Sequence, residues 1–334
     1  MKEAALLNHI FADNNRLPSS VTVPPGDDMG AIQLGNQTML VTVDQVADGI
    51  HVRLDRTAIE LVGRKAITRS LSDVAAMAAL PVGAVAAASL PRDFDQKRAD
   101  ELFDAMRATA ERFDCPLIGG DISIWDHPML LTVTIFAEPA GIKPVLRSGA
   151  KPGDAVCVTG SLGGAWACEE SVSINGQSCD DQVCGVSGPH LTFVPRIKPA
   201  RQLAELLGND LHAMIDLSDG LATDLARVGK ASNVSFEIDT EKIPLRDEAA
   251  AMSNRSGRPA WHHGMCDGED YELCFTANPN AINQLAKKLD GVPITVIGRV
   301  IEQQQGGQAG DVWVTEQGGN PTILEGKGWE HGDE

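Results

Sequence analysis

Paired cysteines, basic clusters and long apolar runs are all missing from this chain of 334 residues, and each absence removes a class of function. The seven cysteines are Cys115, Cys157, Cys168, Cys179, Cys184, Cys266 and Cys274; they form no CxxC pair, and the spacing of Cys179 and Cys184 has no companion. Zinc sites and disulfide frameworks both need paired spacings, so neither is expected. Lys and Arg total 28 against 46 Asp and Glu, a formal net charge of -18. Binding a phosphate backbone relies on clustered cations, which argues against nucleic acid as a partner. No apolar run approaches the roughly 20 residues that cross a bilayer. The opening stretch MKEAALLNHIFADNNRL is broken by Asn8 and His9 and does not read as a signal peptide. A cytoplasmic protein with no membrane partner is expected.

Familiar nucleotide cradles are absent too. GxxxxGK followed by Ser or Thr does not occur, nor do the HRD and DFG signatures of protein kinases. SLGGA, Ser161 to Ala165, follows an apolar run and could present backbone N–H groups to an anion, but reads first as a plain strand-to-helix turn. A nucleotide site here must depend on metal and carboxylates. Aromatics make up only 4% of the chain, so single aromatics in polar surroundings, such as Trp329 in GKGWEHG, stand out.

What is present is a soluble globular composition, 43% apolar and 22% charged, long enough for two domains. Met39–Val43, Val82–Ala88, Leu130–Phe136 and Ala155–Thr159 read as strands. Phe103, Met106, Ala110 and Phe113 recur on one helix face, and Arg56–Arg69 and AINQLAKKL read as further helices. Strands and helices intermingle, so the class is α/β or α+β. SGAKPGD, Ser148 to Asp154, marks a boundary between domains at 1–148 and 149–334. SINGQSCDDQVCGVSG reads as a polar loop, and EQQQGGQAGD as a flexible hairpin connection.

MIDLSDG, Met214 to Gly220, carries an unusual pattern. Met214, Ile215 and Leu217 read as a buried strand, and Leu221, Leu225 and Val228 begin a helix. Asp219 or Ser218 at the junction suits an N-cap. Asp216 does not, because an acid inside an apolar strand needs a partner, for which a cation is one candidate. Similar acids stand beside Gly or Ser, or at the end of a strand, elsewhere: Asp27 and Asp28 in PGDDMG, Asp44 and Asp48 in TVDQVADGIH, Asp73 in SLSDVAAM, Asp121 in GGDIS. Singly each reads as a turn or a cap, and Asp73 suits the start of a helix through VAAMAAL. Together in one pocket they would repel by roughly 4 kcal/mol per pair about 4 Å apart at an effective dielectric near 20. Protonation or a divalent ion would relieve this, and oxygen-only ligands suit magnesium holding a polyphosphate.

In order along the chain, PGDDMG, LSDVAAM, LIGGD, LRSGAKPGD, IDLSDGL and GEDYELCF resemble the thiamine-monophosphate kinase family. That family lies within the superfamily of aminoimidazole ribonucleotide synthetase and selenophosphate synthetase. The likeness runs from about Pro24 to Trp329. It implies an N-terminal α+β domain that pairs with its copy in a homodimer, beside a C-terminal α/β domain. It implies transfer of the ATP γ-phosphoryl group to thiamine monophosphate. It also implies that Asp28, Thr42, Asp44, Asp73, Asp121, Asp216 and Asp219 hold Mg2+ ions, with Asp44, Asp73 and Asp216 central to catalysis. Gly120, Asp121, Arg147 and Ser218 would contact ATP, with Phe113 a looser match near the nucleotide. His51, Glu269 and Trp329 would contact the thiamine substrate. Val43, Ser70, Ala78, Ile122 and Asp267 depart from the pattern: the family usually has a hydroxyl residue, Asn, Gly, Thr and Gly there. The same site with another small acceptor, or binding without turnover, remains open on sequence alone.

Overall fold

The computed structural model describes residues 3–165, 188–304, 306–324 and 328. Helix α1 (Glu3–Phe11) precedes strands β1 (Val21–Val23), β2 (Gly30–Leu34) and β3 (Gln37–Ala47). Then follow α2 (Ile59–Ala76), β4 (Leu80–Pro91), α3 (Gln96–Arg112), β5 (Leu117–Trp125) and β6 (Leu130–Glu138). The strands form one sheet in the order β1-β2-β3-β6-β4-β5, and β4–β5 is its parallel pair. A parallel pair needs a long crossover, which α3 supplies.

The residue pattern dictates which face the helices cover. Along β6, Leu131, Val133, Ile135 and Ala137 are buried while the residues between them are not. That two-residue period lays one face on the helices. Helix α3 starts at Asp95, whose carboxylate accepts from the Arg98 N–H, and buries Leu102, Met106 and Ala110. Phe103 and Phe113 pack partly buried against the same core.

The second half contains β7 (Ala155–Thr159), α4 (Pro189–Thr192), α5 (Ile197–Leu207), β8 (Leu211–Asp216), α6 (Leu221–Ser232) and β9 (Ser235–Asp239). It continues through α7 (Asp247–Ser256), α8 (Ala260–Cys266), β10 (Leu273–Ala277), α9 (Pro279–Ile282), β11 (Lys288–Leu289), β12 (Val292–Ile301), β13 (Val312–Thr315) and β14 (Thr322–Ile323). Its sheet runs β14-β13-β9-β12-β7-β10-β8, with β11 paired to β12. Strands β7 and β10, AVCVT and LCFTA, are buried along their whole lengths.

Helix α2 joins the two halves. It is buried nearly all round, because the first sheet and α3 lie on one side and α4, α5 and β8 on the other. Leu71 and Val74 belong to one continuous core with Val133 of the first half and Met214 and Phe275 of the second.

Four expectations are corrected. Helix α2 runs unbroken from Ile59 to Ala76, so Asp73 does not start a helix but lies in the last turn of one. AINQLAKKL supplies only the last two residues of the short α9 before Lys288–Leu289 pair as a strand. The 302–311 segment is no hairpin: β12 pairs antiparallel with β9, and β13 runs parallel to β9 on its other side. Neither Ser218 nor Asp219 caps α6; Gly220 occupies the N-cap without a side-chain bond. The polar loop at 173–188 lies outside the described residues except Gly188. No described helix is long and apolar enough to cross a membrane.

Candidate active site

Acids from four separate elements meet where α2 ends against the two sheets. Asp28 comes from the turn before β2, Asp44 from β3, Asp73 from the last turn of α2, and Asp216 from the end of β8. Asp28, Asp73 and Asp216 each offer an oxygen such that all three lie within 4.8 Å of one another. Asp44 borders them and adds to the repulsion felt by Asp73. The β3 alternation explains the approach: Leu40, Thr42, Asp44 and Val46 share the face turned toward the helices. Thr42 donates its hydroxyl proton to Asp73. Ser72 donates to Asp216 at 2.6 Å.

The charges do not balance. Arg147 reaches Asp28 at 2.6 Å, and Arg69 reaches Asp44 at 3.3 Å, leaving two acids without a cation of their own. Burial, then the neighbouring Asp28, pushes Asp216 up to about 7, although Ser72 and Arg147 pull the other way. Burial and then Asp44, Asp216 and Asp28 drive Asp73 well above the usual carboxylate range. Burial works against the Arg147 charge, but Asp28, Asp27 and Asp216 reverse this and keep it protonated. Two buried oxygens, Asp28 Oδ2 and Asp44 Oδ2, have no hydrogen-bond partner. Buried carboxylate oxygens without donors, an oxygen-only donor set and a deficit of positive charge fit a hard divalent cation.

The other sequence-derived residues fall around this centre. Asp27 accepts from the Arg147 backbone N–H and orients the segment that carries the guanidinium. Asp219 lies on the far side of the strand-to-helix turn, held at 2.5 Å by Arg227, which also binds Asp224 at 2.7 Å. The Asp224 carboxylate accepts the Asp219 N–H at 3.1 Å, so the capping runs opposite to expectation. Asp48 is structural and accepts the Leu54 N–H.

Gly120 and Asp121 are not in the cluster. They sit exposed on β5, at the edge of the sheet. Register aligns Asp44 with Val133, Val133 with Ala86, and Ala86 with Gly120, which puts three strand spacings, about 14 Å, between Asp44 and Gly120. Glycine is required there: a Cβ would stand 1.9 Å from the Ala86 carbonyl oxygen. Phe113 ends α3, half-buried.

Ser218 and Glu269 adjoin, because the Glu269 N–H donates to the Ser218 carbonyl at 2.8 Å. The loop holding Glu269 is conformationally demanding, with positive φ at Gly268, Glu269 and Tyr271. The Glu269 carboxylate takes Lys65 Nζ at 2.7 Å and the Tyr271 hydroxyl at 3.2 Å. Burial opposes its charge, but Lys65, His190 and Arg69 outweigh that and hold it at about 2. His51 Nδ1 accepts the Ala47 N–H, and the His51 carbonyl accepts from Lys65. Trp329 lies outside the described residues; its neighbour Gly328 donates to Thr223 Oγ1, one turn from Asp219.

Sequence reading missed Lys65, Arg69, Ser72, Tyr271 and Arg227. A signal existed for three of them. In RKAITRSLSD, positions 65, 69, 72 and 73 recur at i, i+4, i+7 and i+8, a polar stripe along an otherwise apolar helix. Two departures from the family pattern also find a cause. Ala78 has φ of 52, the left-handed region where glycine is at ease. Asp267 is engaged by the buried His263 at 3.0 Å.

Residues 26–138 match the model of the AIR synthase related protein, N-terminal domain, and residues 151–309 match that of its C-terminal domain. The chain is 32% identical over 307 residues to a thiamine-monophosphate kinase of Rhodopirellula baltica, covering 90% of this chain and 89% of the relative. The chain belongs to the thiamine-monophosphate kinase family. The Escherichia coli K12 family member is 32% identical over 311 residues, 92% of this chain and 90% of its own. The solved thiamine-monophosphate kinase of Aquifex aeolicus superposes with a TM-score of 0.74 at 28% identity, covering 95% of this chain and all of its own (100%). AaThiL complexed with AMPPCP and TMP gives 0.80 at 27% identity, covering 99% and 97%. The thiamine-monophosphate kinase fold therefore extends over nearly the whole chain.

Proposed function

We propose that the protein transfers the γ-phosphoryl group of ATP to the phosphate of thiamine monophosphate, giving ADP and thiamine diphosphate. The observation that carries this reading is the trio Asp28, Asp73 and Asp216, gathered within 4.8 Å with more negative charge than its arginines offset. Family membership and the likeness to AaThiL with AMPPCP and TMP supply the substrates.

Asp28, Asp44, Asp73 and Asp216, with Thr42, would hold Mg2+, which supplies positive charge to phosphate oxygens when bound. Asp121 and Asp219 would hold further ions. Joining two phosphates brings many negative oxygens together, and little covalent work is left for side chains beyond placement in line and charge cancellation. Arg147 adds a fixed guanidinium whose planar fork suits a phosphate. Gly120 and Ser218 would approach ATP, with Phe113 beside it. His51, Glu269 and Trp329 would take the thiamine part, where an indole face over a thiazolium cation contributes about 0.5–2 kcal/mol. Transfer is read as direct: the cluster's hydroxyls, Ser72 and Thr42, are engaged in hydrogen bonds to Asp216 and Asp73.

The active form is a homodimer in the cytoplasm. Support comes from the first sheet, whose edge strand β5 leaves Ile118, Ile122 and Ile124 exposed, along with Val82 of β4 and Val43 of β3. Apolar side chains on an unpartnered strand edge favour pairing with a second copy.

The test is to incubate protein, Mg-ATP and thiamine monophosphate and measure both products. ADP and thiamine diphosphate in equal amounts are expected. ADP without thiamine diphosphate would remove the acceptor assignment, and a labelled protein trapped in a single turnover would remove direct transfer.

A further inference from the structure

Lys65 is the anomaly of α2. Its side chain is fully buried (0% exposed) on a helix otherwise lined there by Val62 and Ala66. Lysine is almost never buried completely unless it is paired. The helix does not need it for packing, since an apolar side chain of similar length would fill the space without desolvating an ammonium. Its partners therefore explain its presence. Nζ donates to Glu269 Oε2 at 2.7 Å and to the His51 carbonyl at 2.7 Å. Those two residues lie in different halves of the chain, in segments with little regular structure. His51 stands in the turn after β3, and Glu269 in the loop with successive left-handed residues.

The other carboxylate oxygen, Oε1, accepts from the Tyr271 hydroxyl at 3.2 Å. Tyr271 cannot drift, because it is buried and its ring stacks on Phe193 at 4.0 Å with an interplanar angle of 15°. Phe193 is tied in turn to α2, its carbonyl accepting from Arg64. Glu269 is thus gripped on both oxygens, by an ammonium from the first half and a phenol from the second.

We infer that Lys65 and Tyr271 are positioning residues for thiamine monophosphate: together they fix the Glu269 carboxylate and the His51 turn in the places that receive the cationic part of the substrate. This rests on the reading of Glu269 and His51 as substrate contacts. A carboxylate that meets a cationic ring must keep its charge and its plane. A donor on each oxygen does both, and Lys65 sets the spacing between the two contacts as well. Lys65 donates to His51 and Glu269, and Tyr271 to Glu269. Loss of either therefore weakens the acceptor and leaves ATP alone.

Three single variants, Glu269→Gln, Lys65→Met and Tyr271→Phe, separate the inference from the reading beneath it, by steady-state KM for thiamine monophosphate and for Mg-ATP. Lys65→Met is expected to raise the acceptor KM about tenfold or more, and Tyr271→Phe about threefold, as for losing an ion-paired hydrogen bond and a longer one from an uncharged donor. The Mg-ATP KM stays at the wild-type value in both. Tyr271→Phe keeps the ring stack and so stays folded, which preserves the test if Lys65→Met does not fold. A raised acceptor KM in Glu269→Gln with no change in the other two overturns the inference alone. An unchanged acceptor KM in Glu269→Gln removes the substrate-contact reading and the inference with it. Parallel loss against both substrates marks a purely structural role and also overturns it.

Discussion

Ser72 donates a hydrogen bond of 2.6 Å to Asp216, a residue 144 positions further along the chain and in the other half of the molecule. The carboxylate is buried, so the hydroxyl compensates part of its lost hydration. Removing a donor from a buried acceptor costs roughly 1–3 kcal/mol. Ser72→Ala should lower the melting temperature by several degrees and raise the Mg2+ concentration needed for half-maximal turnover. A variant that melts and titrates like wild type would deny the bond any role.

Asp216→Asn tests the cluster directly. The amide keeps the shape and can still accept from Ser72, while one negative charge disappears from the trio with Asp28 and Asp73. Turnover should fall by orders of magnitude with circular dichroism and melting preserved. Activity near the wild-type level would show that Asp216 is no metal ligand.

The raised acids give a signed dependence on pH. Asp216 titrates at about 7 in the folded protein against 3.8 ordinarily, so the fold binds its proton more tightly than the unfolded chain does. That contribution to stability is complete below about 3.8 and is lost as pH rises through about 7. Glu269 is shifted the other way, to about 2, and contributes a constant amount over the same range. In EDTA the melting temperature should therefore fall between pH 5.5 and 8.5, and Mg2+ should raise it more at the alkaline end. Thermal melts across that range check this; a Mg2+ effect independent of pH contradicts it.

Ala78 offers a gain. An alanine in the left-handed region, with φ of 52, costs about 1–2 kcal/mol relative to the usual conformation, and glycine escapes that cost. Ala78→Gly should raise the midpoint of urea unfolding without altering the slope. The methyl group is fully buried, so part of the gain will be offset by lost contacts. A lower midpoint would mean that packing outweighs the backbone strain.

Much of the site was legible because its logic is local. The apolar MID run, the acid that interrupts it and the glycine before LATDLARV give β8, the turn and α6 from short-range periodicity alone. The acids were legible as a set because no local role explains all of them. What stayed hidden has distant causes. LSDVAAM looks like a helix start, since Ser and Asp usually cap; here Ser72 and Asp73 are satisfied by Asp216 and Thr42 and leave α2 unbroken. Lys65 finds Glu269 across 204 positions, which no window of sequence displays. AINQLAKKL has helical spacing, but Leu289 is drawn into the pairing of β11 with β12. Asp219 resembles a cap, yet Arg227 and Asp224 bind its two polar ends.

Because α2 has almost no face left to solvent, damage along it cannot be confined to one trait. A methylene removed at Leu71 or Val74 loosens the seam between the halves, and the neighbouring side chains of the same helix, Arg69, Ser72 and Asp73, shift with it. Heat tolerance and turnover are therefore tied together over this stretch. Random variation screened for one will change the other, whereas the exposed side chains of α3, Lys97, Asp104 and Arg107 among them, are free to vary for solubility alone.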